Sequence, residues 1–124
     1  MKNILLVDDD ILLLKITCEI INMLGYSCMP FSNPKEALEI FHDLPDQFDL
    51  VMTDYEMPEM NGVEFSQEIR KIEPEFPIIV YSGCCKTFIK EHLDVSSLKW
   101  FIQKPMEIKD FCQTIESALT PVKI

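Results

Sequence analysis

Basic residues are scarce in this chain: 11 lysines and arginines stand against 21 aspartates and glutamates, a formal net charge of −10. Phosphate backbones are held by basic patches, so the balance argues against nucleic acid as a direct partner. A negative surface suits cations and proteins that present basic patches. Long apolar runs are lacking as well. None approaches the roughly 20 residues of a membrane-crossing helix. The opening apolar stretch stops at Asp8, too soon for the core of a secretion signal. The five cysteines follow no CxxC or Cys/His spacing, and only His42 and His92 could join them, which argues against a zinc site. They read as reduced thiols of a cytoplasmic protein. Cys18 and Cys112 are expected in the core, and oxidant sensing is a minor reading for the adjacent Cys84 and Cys85. Repeats, low-complexity segments and linkers are missing too. With 124 residues, 48% of them hydrophobic, one globular domain over 1–124 is expected.

What the chain does have is organised around the stretch FDLVMTDYEMPEMNG at 48–62. Its apolar, β-branched start reads as a strand buried on both faces. Such a strand delivers Asp54 to its carboxyl end, where open α/β sheets bind their ligands. Similar short strands are expected at 4–7, 26–31, 78–81 and 100–102. Helices are expected between and after them. The first, at 11–24, ends at Gly25. The second opens on Asn33, Pro34 and Glu36, and turns Ala37, Leu38 and Phe41 inward. The third opens on Asn61-Gly62-Val63-Glu64, and carries Phe65, Ile69 and Ile72. A fourth is expected at 87–93. The last shows an apolar stripe of Ile108, Phe111, Cys112, Ile115 and Leu119. Five strands alternating with five helices imply a doubly wound parallel sheet.

In such a sheet the residues just past the strands meet at one edge: Asp8 and Asp9, Asp54, Ser82, and Lys104. Three carboxylates repel and are driven to protonate unless a cation joins them. One lysine is not enough, and a hard divalent ion, Mg²⁺ above all, resolves the excess. A carboxylate can also act as a nucleophile toward a phosphoryl group. That transfer asks for positioning and for charge stabilisation on the phosphoryl oxygens, which metal, lysine and hydroxyl would supply. Each residue alone has an ordinary reading; Asp10, for one, is expected only to cap the next helix. Their joint placement favours a site.

These residues resemble the receiver domain of two-component response regulators, of the chemotaxis-regulator, single-domain kind. The resemblance runs from ILLVDDD through FDLVMTDYEMPEMNG and IIVYSG to FIQKP, each in the family's order and separation. It implies the flavodoxin-like receiver fold: an α/β, five-stranded parallel sheet in the order 2-1-3-4-5 with five helices. It further implies Mg²⁺ held by Asp8, Asp9, Asp54 and the backbone carbonyl of Glu56. Asp54 is then the phosphoacceptor, Ser82 the switch hydroxyl, Lys104 the phosphoryl contact and Phe101 the switch aromatic. The donor would be a histidine kinase or phosphotransfer protein. The chain would catalyse only its own phosphorylation and dephosphorylation, so it is not expected to be an enzyme in the usual sense. A downstream protein would read the face made by the fourth helix, fifth strand and fifth helix, and a phosphorylation-dependent homodimer is compatible with this scheme.

Some positions depart from the family's commoner pattern. Phe101 has no hydroxyl, so its two positions can differ only in packing. Trp100 is either a partner anchor or a residue packed across a neighbouring helix. Glu56 adds a carboxylate expected to alter the phosphoryl lifetime through the attacking water. One alternative is a relay module of a hybrid histidine kinase. A more remote one is a Mg²⁺-dependent phosphohydrolase with an aspartate nucleophile, but Asp8-Asp9-Asp10-Ile11-Leu12 lacks the hydroxyl of that family's DxDx[TV] pattern. A flavin carrier would need a Ser/Thr/Gly-rich loop where this chain is acidic.

Overall fold

The computed structural model describes residues 1–83, 100–104 and 107–120. Five strands, β1 (Asn3–Val7), β2 (Ser27–Phe31), β3 (Leu50–Asp54), β4 (Ile78–Ser82) and β5 (Trp100–Gln103), form one parallel sheet in the order β2-β1-β3-β4-β5. Four helices are described: α1 (Ile11–Met23), α2 (Pro34–Asp43), α3 (Gly62–Ile72) and α4 (Ile108–Leu119). The expected helix at 87–93 and the Cys84–Cys85 pair lie outside the described residues. No described helix is long and apolar enough to cross a membrane.

Alternation along the strands sorts the core into two layers. Ile4, Leu6, Leu50, Met52, Ile79 and Tyr81 pack with Leu14 and Ile21 of α1 and Phe111 and Ile115 of α4. The intervening residues, Leu5, Val7, Val51, Ile78 and Val80, pack with Ala37 and Phe41 of α2 and Phe65 and Ile69 of α3. Helices therefore cover both faces, which is why β3 and β4 are buried along their whole length. β2 is an edge strand and only half buried. That position tolerates Pro30, which cannot donate to a neighbouring strand.

The helix ends follow local chemistry. Asp10 caps α1, its Oδ1 accepting from the Leu13 N–H at 3.1 Å. Gly25 leaves the same helix at φ 95°, and Asn33 caps α2 ahead of Pro34. At α3 the capping box is complete, with Asn61 and Glu64 each accepting from the other's backbone N–H.

The apolar stripe of the last helix is the main correction. Ile108 is 60% exposed, and the sheet-facing residues are Phe111, Ile115 and Ala118, with Cys112 and Leu119 half-buried. Ile108 is the first residue of α4 and stands largely in solvent, and the steps of four and three run from Phe111 instead. Cys18 and Cys112 are accordingly half-buried rather than interior.

Candidate functional site

The sheet register sets the site. Val7 pairs with Thr53 and Asp54 with Tyr81, while Ser82 pairs with Gln103. Asp8, Asp54, Ser82 and Lys104 therefore emerge along one carboxyl edge. Asp8 and Ser82 are 0% exposed and Asp54 is 5% exposed, whereas Asp9 and Glu56 face solvent.

Asp54 is held from several sides. The Lys104 Nζ lies 3.3 Å from its Oδ1, and the Glu56 backbone N–H donates to the same oxygen at 3.3 Å. Its backbone carbonyl accepts from the Thr53 hydroxyl at 2.9 Å. Gly62 presses against that carbonyl: a Cβ there would stand 2.6 Å from the Asp54 oxygen and 2.9 Å from the Tyr55 Cα. The Gly62 N–H donates to the Tyr55 carbonyl, tying the start of α3 to the end of β3. The sequence marks Gly62 as a helix start, but its role as a spacer beneath Asp54 is visible only in three dimensions.

Burial, and then the Asp8 charge, push the Asp54 carboxyl up to about 6; Lys104 and the Glu56 N–H pull the other way. Asp8, Asp9 and Asp54 each offer a carboxylate oxygen, all within 4.8 Å of one another. Lys104 is the one cation paired with this cluster among the described residues. Hard oxygen donors in excess of positive charge fit a hard cation rather than a thiophilic one.

Ser82 donates its hydroxyl to the Glu56 Oε1 at 3.2 Å, and its carbonyl accepts from the Lys104 N–H at 2.7 Å. Phe101 is half-buried against the α2–α3 layer, and Trp100 is half-buried against the α1–α4 layer. Trp100 also borders a shallow surface depression with Asp110, Gln113, Thr114 and Ser117.

Tyr81 is the site residue that sequence reasoning missed. Its hydroxyl donates to the Asp8 Oδ2 at 2.8 Å, and the Lys104 Nζ sits 4.8 Å from its ring centroid. Burial and the Asp8 carboxylate push its phenol well above the usual range. A signal was available, because a tyrosine inside a fully buried strand needs a partner for its hydroxyl.

The family model of the response regulator receiver domain matches residues 4–116. The chain is 35% identical over 107 residues to the chemotaxis protein CheY of Thermotoga maritima, covering 86% of this chain and 88% of that protein. It is 32% identical over 95 residues to the sensor kinase CckA of Brucella abortus, covering 77% of this chain but 10% of the kinase. The solved response regulator TrrA of Thermotoga maritima, in complex with Mg(2+)-BeF, superposes with a TM-score of 0.85 at 28% identity, covering 96% of this chain and 100% of that one. Matched along nearly its whole length, the chain belongs to the response regulator receiver domain family of two-component signalling.

Proposed function

We propose that this chain takes a phosphoryl group from the phosphohistidine of a histidine kinase or phosphotransfer protein onto Asp54, and thereby switches a protein-binding surface. The observation that carries this reading is the buried Asp54 carboxylate, contacted by Lys104 and sharing a cluster with Asp8 and Asp9. Both described donors converge on Oδ1, so Oδ2 is the oxygen without a hydrogen bond among the described residues. Its lone pair attacks phosphorus as the phosphorus–nitrogen bond breaks. The bond pair returns to the donor imidazole, which leaves neutral when its other ring nitrogen carries a proton.

Asp8, Asp9, Asp54 and the backbone carbonyl of Glu56 would hold Mg²⁺, which supplies positive charge opposite the phosphoryl oxygens when bound. Lys104 neutralises a second oxygen. Ser82 exchanges its bond to Glu56 for one to the phosphoryl group, and Phe101 repacks behind it. The side chain of Glu56, beside the same oxygens, sets how water reaches the acyl phosphate. The altered packing biases a two-state equilibrium, and a downstream protein reads it on the face that includes β5 and α4. Homodimerisation on phosphorylation belongs to the same scheme, as does a cytoplasmic location.

Intact mass after incubation with acetyl phosphate tests the reading. One phosphoryl adduct that needs both Mg²⁺ and Asp54 is expected; an equal adduct on Asp54→Asn, or none on the wild type, would refute it. The match to part of the sensor kinase CckA favours a second reading, a relay module within a kinase assembly. Onward transfer from Asp54 to a histidine of a phosphotransfer domain, faster than hydrolysis, would identify that role.

A further inference from the structure

We propose that Tyr81 is a positioning residue for both halves of the site, its hydroxyl aiming the Asp8 carboxylate at the cation and its ring seating Lys104 beside Asp54. The inference rests on the Mg²⁺-dependent phosphoacceptor reading and names a residue outside the acidic cluster, the lysine and the switch pair. On β4, Tyr81 faces the same layer as Ile79, and an aliphatic side chain would satisfy that packing. The hydroxyl does something that packing does not require. It reaches 73 residues back along the chain to a fully buried carboxylate.

Asp8 is thereby fixed at both oxygens. Its Oδ1 accepts from the Asp10 N–H at 3.0 Å and its Oδ2 from Tyr81 at 2.8 Å. Rotation of the carboxylate would break both bonds together. Each oxygen has two lone pairs, so each keeps one for a cation. This is the arrangement by which outer groups orient metal ligands. On the other side, the Lys104 ammonium lies 4.8 Å from the Tyr81 ring centroid and 3.3 Å from the Asp54 Oδ1. An aromatic face attracts such a cation, so the ring limits where the flexible lysine can rest. One side chain therefore couples the metal side of the crevice to the phosphoryl side.

Two substitutions separate the two contributions. Tyr81→Phe removes the hydroxyl and keeps the ring, and Tyr81→Leu removes both. Calorimetric titration with MgCl₂ alone is expected to show binding about tenfold or more weaker in both variants, the range for loss of an orienting partner. At saturating Mg²⁺, the rate of adduct formation with acetyl phosphate is expected to stay within about twofold in Tyr81→Phe and to fall about tenfold in Tyr81→Leu, since only the latter releases Lys104. Circular dichroism melts establish that each variant is folded at the assay temperature. Lower melting temperatures with unchanged Mg²⁺ affinity in Tyr81→Phe would overturn the hydroxyl's role and leave the phosphoacceptor reading intact. Equal saturated rates in the two variants would overturn the ring's role. A wild type that binds no Mg²⁺ would overturn both this inference and the reading beneath it.

Discussion

Burying the Asp54 carboxylate works against the stability of the protein. Its folded carboxyl titrates near 6 rather than at the ordinary 3.8, chiefly through burial and the Asp8 charge. Between those values the folded chain holds more protons than the unfolded one, so stability falls as pH rises through the window. Above pH 6 the full cost is present. In metal-free buffer, Asp54→Asn is therefore expected to stabilise the protein by about 1–3 kcal/mol at pH 7.5, at roughly 1.4 kcal/mol for each pKa unit. The gain should shrink to less than half at pH 4.5, where Asp54 is protonated in the folded wild type. Urea titrations of both proteins at the two pH values check this, and a gain independent of pH would place the cost elsewhere. The substituted amide is uncharged and still accepts from Lys104 and the Glu56 N–H, so charge rather than shape is what the comparison measures.

At the scale of an element, the turn from β3 into α3 holds Asp54 in register. Two neighbouring residues do different work there. Asn61 caps α3 through its bonds with Glu64, out in solvent. Gly62 lets the first turn approach the Asp54 carbonyl more closely than any Cβ allows. Asn61→Ala is expected to cost about 1 kcal/mol, the usual value of such a cap. Gly62→Ala is expected to cost about 1–3 kcal/mol, because backbone rather than a flexible side chain must give way. The two should part further in function. Displacement at Gly62 is passed directly to Asp54, so adduct formation with acetyl phosphate should fall at least about tenfold, as misplacement of a reacting group does. Asn61→Ala should leave the rate near that of the wild type once both are assayed well below their melting temperatures. Equal rates for the two variants would show that α3 can shift without moving Asp54.

At the scale of the whole molecule, apolar runs and turn residues carried the architecture into the sequence plainly. The runs ILLV, LVMT and IIVY are buried strands, and the strand order and the expected caps at Asp10, Asn33 and Asn61 are as read. Contacts between distant polar atoms were not legible, because periodicity records the face a side chain occupies and not the group it meets. The Tyr81–Asp8 and Ser82–Glu56 bonds are of that kind, and the Gly62 approach is a steric backbone contact that periodicity records no better. Ile108 shows the complementary limit: apolar spacing cannot tell a helix end that overhangs its sheet from one that packs on it. Net charge is legible from sequence and acts on the entire chain. At −10 the folded protein repels itself, so raising KCl from 0.05 to 0.5 M is expected to raise the melting temperature by a few degrees, as the screening length shortens. With the folded acidic cluster as its binding site, as proposed, Mg²⁺ at about one hundred times its dissociation constant should add about 2.7 kcal/mol beyond that, roughly 10 °C for a domain of this size. Asp9 distinguishes the two effects, since it belongs to the cluster but faces solvent. Asp9→Asn should keep the KCl response and lose most of the Mg²⁺ increment at matched ionic strength. If both proteins gain equally from Mg²⁺, the ion acts as a general counterion and the carboxylate cluster is not its binding site.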